Sequence, residues 1–222
     1  MRSPNGIWSE VATARYFGVY PAMVTDIVDK KNLGRIEVKF PWLGADGATV
    51  RSWATLCTPY ADDDQGLEVL PEKDTEVLVA FEAGQLRRPY IIGSTWNGSE
   101  KMPQAPAAPN NIRVFKSRAK SKLEFDDTSG SAKVTISMQS GHQVVLDDAA
   151  KQVVVHHANG CEITLTATQI KINANSSVDV TAPTLNVHCA SSVFDGTITC
   201  TTITAQTSVV SPSYTTGAGN IL

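Results

Sequence analysis

The chain has 222 residues, enough for one large domain or two small ones with a buried core. Charged residues make up 18% and the formal net charge is −3, with 11 Lys and Arg against 14 Asp and Glu in residues 1–110 and 8 of each in the remainder, so neither half carries the basic footprint of a nucleic-acid binder. No run of about 18 apolar residues could span a bilayer as a helix, and the opening MRSPNGIWSEVATARYFGVYP lacks the basic, apolar and small-residue order of a cleaved secretion signal, so folding in a cytoplasm is expected.

In chain order, residues 1–19 form an N-terminal segment whose aromatics, Trp8, Tyr16 and Phe17, together with Tyr20, are suited to pack on a barrel or on a partner. Residues 20–98 hold five strand-like runs, PAMVTDIVD, GRIEVKFPW, VRSWATLC, TEVLVAFE and RPYIIGSTW, punctuated by Gly, Pro and Asp. Their number and spacing predict a small antiparallel barrel of the OB type with almost no helix. In LGRIEVKFPW, Gly34 allows a tight turn, Arg35 is placed to pair with a nearby carboxylate, and Pro41 ends the ladder where Trp42 folds over the barrel. Residues 99–112 contain SEKMPQAPAAPNN, whose prolines favour extended backbone; this is a linker too short for another domain.

From residue 113 to 222 the composition changes to Thr, Ser, Val, Ile and Ala in short alternating pieces: KVTISMQ, HQVVLDD, QVVVHH, EITLTA, QIKINA, SVDVTA, TLNVHC and TITCTT. Alternation sets Val134 with Ile136 and Met138, Ile163 with Leu165, Ile170 with Ile172 and Val178 with Val180 on one face. The pieces recur about every seven to ten residues, which is repeat grammar. One such stack buries too little bulk to stand alone. Three chains, each giving one strand to each layer of a triangular prism with apolar faces on the axis, would close the core as a needle on the order of 50 Å long. Beyond Ile172 the only charged side chains are Asp179 and Asp195, and a disordered tail would not need Val, Ile and Leu at alternate positions.

No catalytic constellation emerges. Glu124, Asp126 and Asp127 cluster, but Glu124 and Asp126 alternate with Leu123 and Phe125 on a solvated strand face, Asp62 to Asp64 lack the spacing of a calcium loop, and no G-x-S-x-G, H-E-x-x-H or phosphate-cradling Gly loop occurs. Cysteines 57, 161, 189 and 200 are too scattered for a disulfide scaffold or zinc module. Alternation from Val153 and Val155 puts His157 on the apolar face, where three copies could hold a metal or anion on the axis; the plainer reading is a strand-end His facing water or a neighbouring chain. No cofactor is expected.

The strings YPAMVTDIVDKKNLGRIEVKFPWLG, RSWATLCTPYA and LEVLPEKDTEVLVAFEAGQLRRPYIIGSTWNG resemble the OB domain shared by phage baseplate protein V spikes and the VgrG proteins of type VI secretion. The resemblance covers Tyr20 to Gly98 nearly without gaps; Gln85 stands where many members carry Asp. The alternating half is similar to the triple-stranded β-helix of those spikes. The resemblance implies an all-β homotrimer, an OB barrel followed by an intertwined trimeric β-helix, acting without enzymatic activity as the membrane-piercing central spike of a contractile phage tail or related injection machine. It further implies a place at a virion baseplate or injection-particle tip. A separate baseplate hub protein would dock at Trp8, Tyr16, Phe17 and Tyr20, because the stretch before Tyr20 is too short for a hub, and a PAAR-like tip protein would cover Ile221 and Leu222. No lysozyme insert fits in the linker, and the His-x-His tip of some relatives is lacking, since no His follows His188. The competing readings are an OB-fold single-stranded nucleic-acid binder, which wants a basic groove with stacking aromatics, and a phage adhesin with a β-helical shaft.

Overall fold

The computed structural model describes residues 14–47, 49–208 and 210, and two compact units divide the chain after Asn173. The first unit opens with strands β1 (Val19–Asp26), β2 (Arg35–Lys39) and β3 (Arg51–Leu56), a two-residue-strand hairpin of β4 (Ala61–Asp62) and β5 (Gln65–Gly66), then β6 (Glu76–Phe81) and β7 (Pro89–Ser94). Five of these close a barrel in the order β1-β2-β3-β7-β6, with β6 returning to β1. Every neighbour pairing is antiparallel except β3 with β7, where Thr55 lies opposite Tyr90 and Leu56 opposite Ile91. A closed five-stranded barrel of this kind is OB-type.

Alternation builds its core. Ala22 and Val24, Ile36 and Val38, Val77 and Val79, and Ile91 point inward from their strands, and Phe40, Val50, Phe81 and Leu86 complete the same buried cluster. A cap of aromatics closes one side: Trp42 stacks on Tyr20 at 4.8 Å, Tyr16 lies 5.4 Å from Trp42 and 5.8 Å from Phe81, and the Trp42 indole donates to the Pro21 carbonyl at 2.8 Å. Trp42 therefore folds over the barrel as its place after Pro41 suggests. The carboxylate that Arg35 finds is Asp29. Nε and Nη2 of Arg35 donate to it at 2.8 and 3.0 Å, while the backbone N–H groups of Lys31 and Leu33 donate at 3.0 and 3.2 Å, so one buried side chain organises the β1–β2 loop.

After residues 95–111, which carry no helix or strand, seven strands follow: β8 (Ile112–Lys116), β9 (Lys122–Asp126), β10 (Lys133–Ser137), β11 (Gln143–Asp147), β12 (Gln152–His156), β13 (Glu162–Leu165) and β14 (Ile170–Asn173). They form one antiparallel meander in which each strand pairs with its sequence neighbours. The turns explain why. Ser117–Ser121, Met138–His142 and His157–Cys161 repeat a single design, with three residues between the closing pair and a left-handed residue before the second strand: Lys120 at φ 63°, Gly141 at 98° and Gly160 at 95°. Such loops fold a strand directly onto its predecessor. The needle half is thus strand-rich, and over residues 112–173 its ladders run within the chain instead of being exchanged between chains.

The second unit, described by itself, has no strand among its described residues. The pieces SVDVTA, TLNVHC and TITCTT, expected as strands, carry no regular element and are exposed, including Val178, Val180, Leu185, Val187 and Ile198. A ladder needs a partner strand, and this stretch has none within itself.

Candidate assembly interface

The meander has two unlike faces. Cross-strand register aligns Phe115, Leu123, Ile136, Val144, Val155, Ile163 and Ile172 in one column. Phe125, Val134, Leu146, Val153, Leu165 and Ile170 make a second beside it. Both columns stand on one face, and that face is open: Phe115 is 59% exposed, Ile136 52% and Ile172 57%. A soluble fold leaves contiguous apolar area of this size uncovered only where something else covers it. Full burial of a Val, Ile or Leu contributes about 1.5–3 kcal/mol, and these side chains, already about half buried in the sheet, have roughly half of that left to gain, so several per chain are needed to offset the 4–15 kcal/mol that association costs.

The opposite face is polar and largely self-satisfied. Lys122 pairs with Glu124 at 2.8 Å, Lys133 reaches Asp126 at 4.0 Å, and Glu162 accepts from the Thr164 hydroxyl at 2.8 Å with His156 at 3.3 Å. Hydrogen bonds from Thr128, then the charge of Lys133, hold the Asp126 carboxyl below its ordinary range. The Thr164 hydroxyl, then His156 and Lys171, do the same for Glu162. Glu124 and Asp126 belong to this face, whereas Asp127 shares the side of Phe125 and pairs with Arg113.

The edges of the apolar face differ from each other. At one, His142 and His157 stand with ring centroids 4.4 Å apart, where the pairing of Gln143 with His156 brings β11 and β12 together. His157 was visible in the alternation; His142, across a turn, becomes its neighbour only through that register. At the other edge Asp127, Asp148 and Lys151 border an open groove floored by Phe125, Val134, Leu146 and Val153, and Lys151 donates to Asp148 at 2.7 Å. Among the described residues no group of three His, Cys, Asp or Glu within one chain could hold a metal ion, and no helix is long and apolar enough to cross a membrane.

Of the aromatics proposed for a docking joint, Tyr16 and Tyr20 are engaged in the barrel's own cap while Phe17 is 73% exposed. Trp8, Ile221 and Leu222 lie outside the described residues. Of the tryptophans within residues 20–98, Trp42 lies in the cap and Trp53 beneath the Arg35 guanidinium at 5.7 Å, while Trp96 is exposed.

Barrel and meander each match a known family profile. Residues 20–96 match the type VI secretion system/phage-baseplate injector OB domain, and residues 112–189 match the phage baseplate V C-terminal trimerisation domain, together more than half of the chain. The chain belongs to the baseplate V/VgrG-like spike family. Among individual members, it is similar to the type VI secretion system spike protein VgrG3 of Vibrio cholerae, at 24% identity over 132 residues, 56% of this chain and 13% of that protein. It is likewise similar to the spike proteins VgrG2a and VgrG1a of Pseudomonas aeruginosa, at 26% and 24% identity over 49% and 55% of this chain, and 14% and 21% of theirs. The chain therefore spans only a small part of the length of these spike proteins.

Proposed function

We propose that three copies of this chain pack the apolar faces of their meanders around a common axis and act as the structural central spike of a contractile phage tail or related injection system. The observation that carries the reading is the open two-column apolar face, lying within the stretch that matches a trimerisation domain. In this arrangement each chain supplies one wall of a triangular prism, and the stretch after Asn173, with its exposed alternating Val, Leu and Ile, finds its ladder partners in the other two chains.

Function on this reading is mechanical. The barrel is the collar from which the needle projects, and force from the contracting machine passes along the stacked strands into a target-cell membrane. Neither a hydrolytic site nor a cofactor has a role. A baseplate hub protein, with exposed Phe17 as a contact, and a PAAR-like tip protein with Ile221 and Leu222 as its contacts complete the assembly. Mass photometry of the purified chain checks the core of this proposal: a species of three times the 23.8 kDa chain mass is expected, and a stable monomer at micromolar concentration would overturn it.

A further inference from the structure

We propose that in this trimer the His142–His157 pair of each chain donates hydrogen bonds to the Asp148 carboxylate of the adjacent copy, fastening the three walls at their corners. The inference rests on the trimeric reading above and adds a contact to it.

The histidines supply the first half of the argument. His142 immediately precedes β11 and His157 immediately follows β12, both on the apolar side. Each ring has its Nδ1 occupied: the Ala158 N–H donates to His142 Nδ1 at 3.3 Å and the Asn159 N–H to His157 Nδ1 at 3.2 Å. A neutral imidazole whose Nδ1 accepts carries its proton on Nε2. Both rings therefore present an N–H from the atom left for a partner. A metal ion needs a lone pair there and a ligating His normally donates through its other nitrogen, the reverse of this arrangement. The pair is built for an acceptor.

Symmetry brings the acceptor. In a cyclic assembly one edge of each subunit meets the other edge of the next. β11 starts beside His142 and ends beside Asp148, so the two residues occupy opposite edges of one wall at the same level of the stack. Asp148 shares the side of Val144 and Leu146, its side chain is 77% exposed, and its bond from Lys151 leaves capacity, since a carboxylate accepts at about four lone-pair sites. Met138 and Cys161 flank the histidines and Ala132 lies beside Asp148, so packing of the walls would shield the contact from water and strengthen it.

A double-mutant cycle on the full chain tests the contact, with His142→Gln, Asp148→Asn and the double variant each confirmed as trimers by mass photometry and then heated to dissociation. Each single change is expected to lower the dissociation temperature by a few degrees, and the double variant to fall little further. Additive shifts, as would follow if Asp148 served only Lys151 of its own chain, or no shifts at all, would overturn the contact while leaving the trimer standing. A monomeric wild-type chain would overturn both. Stabilisation of the wild type by added Zn²⁺ or Ni²⁺ that His142→Gln abolishes would show a metal site in its place.

Discussion

At the scale of single residues one carboxylate ties down the β1–β2 loop of the barrel. Asp29 receives two bonds from Arg35 and two from backbone N–H groups, and the Arg35 bonds above all hold its carboxyl far below the ordinary value of about 4. A carboxyl depressed on folding contributes stability that is fully present above its unfolded pKa and drains away as pH falls below it toward the folded value. The barrel is therefore expected to melt at a steady temperature down to about pH 4 and then to lose stability steeply. Asp29→Asn should start from a lower melting temperature at pH 7 and show a flatter decline below pH 4, read by thermal melts across that range; curves that stay parallel would assign the acid sensitivity to other groups. The same loop shows why Arg35 could be read as a partner-seeking residue in the sequence while its partner could not: Asp26, Asp29 and Glu37 were all near enough, and only the turn geometry selects Asp29.

At the scale of elements, period-two alternation made most strands legible. The five barrel runs and the pieces from KVTISMQ to QIKINA coincide with strands because each buries or presents one face. The β4–β5 hairpin escaped notice because two-residue strands carry no period. The parallel closure of β3 on β7 was equally hidden, since it joins residues about 35 apart with no local signature. SVDVTA, TLNVHC and TITCTT alternate as cleanly as the rest yet form no ladder, because alternation says which face is apolar and not where the hydrogen-bonding partner comes from. For the meander the face itself is open to test. Val155→Asp puts a charge on the apolar face between Val144 and Ile163, whereas Gln143→Asp puts the same charge on the polar face of the neighbouring strand. The first should yield monomers by mass photometry with the barrel intact, and the second should remain trimeric; a trimeric Val155→Asp would place the interface elsewhere.

At the scale of the whole molecule the two halves are stabilised by different means. The barrel has a private core around Phe40, Ile36 and Val38, while the meander leaves its largest apolar surface open. Chemical denaturation should accordingly show one transition whose midpoint is independent of protein concentration and another that rises with it. Phe40→Ala should weaken the first by about 3–5 kcal/mol and leave the second in place; a single transition moving as one under that change would show the halves to be coupled. The connectivity of the meander reaches further, into how such a particle is made. Because every wall strand pairs with the one just before it in sequence, contacts are local and form quickly, and each chain settles its own register as it emerges from synthesis. On the proposed arrangement, three walls that have already folded then meet face to face. Nothing along residues 112–173 has to be threaded around a neighbour, so on the trimeric reading only the stretch beyond Asn173 is left to be laid against the other chains once the walls have folded.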